Sequence, residues 1–198
     1  MIARADKGNS IVILPTTQYD KDSRLHSNNS FQITKKDPTN NFQSQVRKSI
    51  NNNKTLIPQD TKWRYTNMNP SAPTIKGLIK IHKPEQPIRP IVNWRNAPAY
   101  KLASLLTHKI KHLAPPPYTY NVNNTTDLIN ELRNTQTYPH YGSASLDISN
   151  LYMNIPVTET RDIIANTLEH LQTRTELLEW YDVITRQNYF SNNGEILI

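Results

Sequence analysis

The residues of this chain whose types and spacing could do chemistry centre on Asp147. It closes Ser143-Ala-Ser-Leu-Asp147, a run that reads as a buried strand, and a tight bend and a helix follow it. Tyr152 lies five residues further on. A carboxylate fixed at a strand end can hold a divalent cation against a triphosphate, and a bulky side chain beside it can police the sugar. An aspartate in that position also serves as a helix cap or turn residue, so both readings stand at this point.

Cations supply the second constellation. Thr74 to Lys83 alternates Ile75, Gly77, Ile79 and Ile81 with Lys76, Leu78 and Lys80, the pattern of a half-buried strand. A turn at Pro84-Glu-Gln-Pro87 leads into a second strand, Ile88 to Val92, so Lys83 and Arg89 flank the tip of a hairpin. Arginine grips phosphate with two parallel bonds and lysine acts as a point charge, so rigidly held cations here suit a triphosphate. The bland alternative is an edge strand protected from aggregation by lysines and Pro90.

Lys62-Trp-Arg64 places an aromatic between two cations, which can stack on a base or form a small satellite core. His108 and His112, one helical turn apart, lack a glutamate between them and a third ligand, which favours a solvated basic face over a metal pair.

The elements that must position these residues follow from local signals. Asp37-Pro38 opens a helix with Phe42, Val46 and Ile50 on one face, and Asn51-Asn-Asn53 ends it. Ala99 to Leu113 carries a stripe through Leu102, Leu106 and Ile110, and Pro115-Pro-Pro117 breaks it. Asn124 caps a helix with Leu128, Ile129 and Leu132 expected inward. Beyond Pro156, one helix presents Ile164, Leu168 and Leu171 and the next Leu177, Tyr181 and Ile184. A turn at Gly8 should feed a buried strand, Ile11 to Leu14, and Tyr189 to Ile198 should be a hairpin whose last strand lies open at an edge.

Composition bounds the rest. The 198 residues hold no cysteine, which excludes disulfides and thiolate metal sites. No membrane-length apolar run occurs, and residues 1–20 lack a signal-peptide pattern. The expectation is an intracellular setting, the nucleus included, with no membrane partner. The net charge of +7 is segregated: residues 1–120 hold 19 Lys/Arg against 6 Asp/Glu, and residues 121–198 hold 4 against 10. A front half of +13 suits a polyanion, or is simply a solvated basic surface.

Four stretches in order resemble one family: Ala5-Asp-Lys-Gly8, Ile81-His-Lys83 with Arg89-Pro-Ile-Val92, Tyr100-Lys-Leu-Ala103, and Ser145-Leu-Asp-Ile-Ser-Asn-Leu-Tyr-Met-Asn-Ile-Pro156. Together they resemble the reverse transcriptase of Penelope-like retroelements. The resemblance implies an α+β fold, the fingers and part of the palm of a right-hand polymerase. Residues 1–120 would be the basic fingers-like region and 121–198 a partial palm with the first catalytic motif.

By the same resemblance, Asp147 is the first palm aspartate and, with the carbonyl of Ile148, a ligand of Mg²⁺. Tyr152 is the steric gate against a ribose 2′-hydroxyl, and Lys83 and Arg89 hold the incoming deoxynucleoside triphosphate. Lys62, Trp63, Arg64, Lys76 and Lys80 would contact the RNA template and DNA primer.

The departures from the family narrow the expectation. The Tyr-x-Asp-Asp hairpin that completes the two-metal site, the Gln and Gly-rich segment, the thumb and an endonuclease domain have no counterpart here. The chain is therefore expected to be an incomplete RNA-directed DNA polymerase, truncated before the second catalytic motif and inactive alone. The alternative is a non-catalytic nucleic-acid-binding remnant of a decayed or domesticated element.

Overall fold

The computed structural model describes residues 2–17, 32–53, 55–115, 121–136, 138–142, 144–148, 151 and 154–198. The fold is mixed α and β. Among the described residues, five helices, α1 (Thr39–Asn52), α2 (Tyr100–Leu113), α3 (Thr125–Asn134), α4 (Val157–Thr167) and α5 (Arg174–Thr185), accompany a 3₁₀ helix, Gln59–Tyr65. The strands are β1 (Ile2–Arg4), β2 (Ile11–Ile13), β3 (Ile33–Thr34), β4 (Thr74–Ile79), β5 (Ile88–Asn93), β6 (Phe190–Asn192) and β7 (Glu195–Leu197).

Helix α1 begins where the sequence signals it, with Asp37 Oδ1 accepting the Thr39 N–H at 2.8 Å. Its apolar stripe buries Val46 and Ile50 completely. Its far end is held by side chains: Lys62 Nζ donates to the Asn51 carbonyl at 2.9 Å, and Asn53 Oδ1 accepts the N–H groups of Leu56 and Ile57. The lysine bond satisfies a carbonyl that the helix end leaves open, and the Asn53 bonds turn the following chain towards the 3₁₀ helix.

One core joins the two halves of the chain. Val46 and Ile50 of α1 and Leu102, Leu105 and Leu106 of α2 pack with Leu168, and with Leu177 and Trp180 of α5. Trp180, 1% exposed, is the largest fully buried side chain. Ile164, Tyr181 and Ile184 pack against this cluster as their helical spacing predicts, and Leu171 does so too, although α4 ends at Thr167 and leaves Leu168 and Leu171 beyond it. The boundary expected at residue 120 therefore separates charge but not packing. Helices α1 and α2 have apolar faces that α5 helps to cover, because neither stripe can be buried by its own segment alone.

The five-stranded sheet also crosses that boundary, in the order β3-β7-β6-β4-β5. All pairs are antiparallel except β4 with β6, which meet in parallel at Thr74 and Ser191. The β6–β7 hairpin turns at Asn193 and Gly194, both with positive φ (49° and 86°), the backbone that a two-residue turn requires. The edge expected to lie open on β7 is covered, since Ile33 and Thr34 of β3 pair with Leu197 and Ile196. A strand of two residues carries no readable periodicity, which is why the sequence does not announce it.

Three other expectations need correcting. The Ile11 strand forms an exposed hairpin with β1, leaving Ile11 and Ile13 71% and 81% exposed, because the β1–β2 pair has no layer over it among the described residues. Leu128, Ile129 and Leu132 of α3 are exposed, although Asn124 caps the helix as expected by accepting the Asp127 N–H at 3.0 Å. Capping is local and burial is not. Strand β4 ends at Ile79, short of Lys83, because the Lys83 N–H turns back to the Lys80 carbonyl at 3.0 Å.

Candidate nucleic-acid interface

The β4–β5 hairpin and its turn carry four of the expected cations, Lys76, Lys80, Lys83 and Arg89. Its register sets Leu78 opposite Arg89 and Lys76 opposite Ile91, so Lys76, Leu78 and Arg89 share one face and Lys80 continues it. The other face carries Ile75 and Ile79, with Ile79 buried against the rest of the fold. Lys76 and Lys83 are exposed and Lys80 is half-buried. The turn between the strands places Glu85 and Gln86 at φ 63° and 46°, a left-handed pair that non-glycine residues adopt at a cost.

Asp6 holds Arg89 in place. The Gly8 turn is stitched beside β4: Ala5 bridges Ile79 in parallel, and the Asp6 N–H donates to the Ile79 carbonyl at 2.9 Å. From there Asp6 Oδ1 accepts a bond from Arg89 Nη1 at 3.0 Å. The Asp6 side chain is only 3% exposed, whereas that of Arg89 is 48% exposed. Asp6 Oδ2 is buried and has no hydrogen-bond partner among the described residues. A buried carboxylate with one satisfied oxygen depends on its cation. The guanidinium in turn keeps further N–H donors turned towards solvent, in a fork whose orientation is set.

Residues 62–64 divide by the geometry of the 3₁₀ helix. With three residues per turn, Lys62 and Tyr65 fall on one side and Trp63 and Arg64 on the others. Lys62 is 8% exposed and its ammonium is engaged by Asn51, so it belongs to the scaffold and leaves the expected base-contacting cluster. Trp63 is 64% exposed, with the Arg64 guanidinium carbon 5.6 Å from its ring centre, a cation–π pair on the surface.

The Asp147 segment departs furthest from expectation. Residues 144–148 are non-repetitive chain, with Asp147 exposed and Leu146 and Ile148 94% and 67% exposed. A strand exists only where neighbours take up its alternating N–H and C=O groups, and no strand of the described residues pairs with this run. No hydrogen bond or ion pair joins Asp147 to Lys83 or Arg89 among the described residues. Tyr152 lies outside the described residues.

Magnesium takes about six oxygen ligands in near-octahedral geometry. Asp147 and the Ile148 carbonyl would supply two, and no group of three or more His, Cys, Asp or Glu among the described residues is placed to hold a metal ion. His108 and His112 stack 6.5 Å apart. These residues by themselves do not make a two-metal centre.

Elsewhere the polar groups serve the fold. Arg161 grips Asp182 through Nε at 2.7 Å and Nη2 at 3.0 Å, joining α4 to α5, and this bond with the adjacent charge raises the pKa of the guanidinium further. Burial raises the Tyr189 phenol above its ordinary value, while its hydrogen bond with Thr39 at 2.9 Å pulls the other way. Burial likewise raises Tyr181.

Asp6 is the residue of the candidate site that sequence reading gave no role. Its motif, Ala5-Asp-Lys-Gly8, is visible, but nothing local pairs it with an arginine 83 positions away. No helix of the described residues is long and apolar enough to cross a membrane. No protein-family model, no curated protein and no solved structure matches this chain.

Proposed function

We propose that this chain is the fingers and first palm segment of a reverse transcriptase, binding an RNA–DNA hybrid by its backbones and a deoxynucleoside triphosphate at Arg89. The observation that carries this reading is the fork of Arg89, oriented by buried Asp6 on the same face as Lys76 and Lys80, with Lys83 in the adjoining turn. Cations on paired strands are held more precisely than cations on a loop, and an oriented guanidinium loses less entropy on gripping phosphate. The excess of positive charge in residues 1–120 would add the sequence-independent part of the grip. In the complete enzyme Mg²⁺ would supply charge neutralisation at the transferring phosphate, with Asp147 as one ligand and further carboxylates from outside the described set.

A second reading, a nucleic-acid-binding protein without catalysis, is favoured by one observation: Asp147 lies in exposed, unpaired chain. The two readings share the basic hairpin and differ at Asp147.

The deciding experiment measures affinity for an RNA–DNA hybrid across a salt series, with and without Arg89→Ala, and deoxynucleotide affinity alongside. A steep fall in hybrid affinity with salt and a deoxynucleotide affinity reduced by Arg89→Ala support the reading. A flat salt response would sink the hybrid grip, and an unchanged deoxynucleotide affinity would remove Arg89 from the site. The chain alone should extend no primer; extension on an RNA template that is lost in Asp147→Ala would overturn the expectation of an incomplete enzyme.

A further inference from the structure

A second surface, lined by residues other than those of the hairpin, lies between the 3₁₀ helix and α2. A cavity of about 470 Å³ opens there, lined by Arg64, Tyr65, Tyr100, Lys101, Ser104 and His108 among others. Its size falls within the range of about 300–1,000 Å³ seen for small-ligand sites. An arginine, a lysine and an imidazole line it, and no carboxylate of the described residues does. Its occupant must therefore tolerate or want positive charge.

The walls add flat aromatic surface. Tyr100 is 40% exposed, and Trp94 holds its ring edge to face at 6.4 Å. Lys101 Nζ donates to the Thr66 carbonyl at 3.2 Å, which uses one of three donors and fixes the ammonium beside the cavity. Tyr65 lines the cavity as a second aromatic, and the Arg64 guanidinium carbon lies 5.6 Å from the exposed Trp63 ring.

We propose that this cavity binds single-stranded nucleic acid, with an unpaired base against Tyr100 and the flanking phosphates on Arg64 and Lys101. Charge selects the polyanion, and the aromatic plates select unpaired bases, because bases inside a duplex are already stacked on one another. The proposal rests on the nucleic-acid reading above and adds to it a single-strand site separate from the Arg89 face. The two surfaces would let one chain hold a hybrid and the unpaired strand that leads into it.

The test uses the full chain and two labelled probes of equal length, an unstructured oligouridylate and a blunt RNA–DNA hybrid, with affinity read by fluorescence anisotropy. Tyr100→Ala should weaken oligouridylate binding about tenfold and change hybrid binding less than about twofold. Tyr100→Phe should bind oligouridylate as the unaltered chain does. Should Tyr100→Ala not fold, Ser104→Glu, which puts a negative charge into the cavity from an exposed position, carries the same expectation. Equal losses on both probes, or no loss on oligouridylate, would overturn the single-strand site alone. An unaltered chain that binds neither probe would overturn this proposal and the reading beneath it together.

Discussion

Arg89 Nη1 lies 3.0 Å from Asp6 Oδ1, and the two partners differ sharply in environment: the carboxylate is almost wholly buried and the guanidinium half exposed. The bond therefore serves the aspartate energetically and the arginine geometrically. Removing the arginine leaves a desolvated charge, whereas removing the aspartate leaves a solvated cation with a freer swing.

Arg89→Ala is expected to destabilise the fold by about 1–3 kcal/mol, the cost of an uncompensated buried carboxylate tempered by the exposure of its partner. Chemical denaturation measures it. Asp6→Ala in the Arg89→Ala background should recover part of the loss, and a double-mutant cycle with no coupling would show that the pair contributes nothing.

Lys62→Met separates scaffold from surface. Losing the bond from its ammonium to the Asn51 carbonyl should cost about 1–3 kcal/mol, with the salt dependence of hybrid binding unchanged. Lys76→Ala should do the opposite: little change in stability and a salt slope shallower by roughly one contact. A shallower slope in Lys62→Met would return that residue to the interface.

Trp180→Ala removes the side chain on which both halves of the chain pack, and should cost about 3–5 kcal/mol. Unfolding of the unaltered chain should be a single transition, followed equally by far-ultraviolet dichroism and by tryptophan fluorescence. Two separated transitions would mean that residues 1–120 fold independently of the acidic half.

The buried Tyr189 phenol gives an alkaline signature. In the unfolded chain it ionises near 10, and in the folded chain it holds its proton to higher pH. Its contribution to stability is thus complete below about pH 10 and is lost as pH rises through the folded-state value. Thermal melts at increasing pH should show that decline, and Tyr189→Phe should flatten it. At neutral pH the same substitution should cost about 1 kcal/mol, because Thr39, itself buried, loses its partner.

The chain's own order of residues determined what can be settled within a turn or two. The Asp37-Pro38 start of α1, the apolar stripes of α1, α2, α4 and α5, the Asn124 cap and the Asn193-Gly194 turn are all local, because helix periodicity and turn chemistry act over three or four residues. The alternation of Ile75 and Ile79 with Lys76 and Leu78 was legible in the same way, and with it the cationic face of β4. What only the tertiary structure decided is which stripe finds a partner. Leu128, Ile129 and Leu132 are as apolar as the stripe of α2, yet are exposed, and the Asp147 run has the composition of a strand with no strand of the described residues beside it. The pairing of Asp6 with Arg89, the turning of Lys62 inward and the joining of both charge halves in one core likewise depend on contacts between distant segments. Burial and pairing are properties of two surfaces together, and a single stretch of sequence states only one of them.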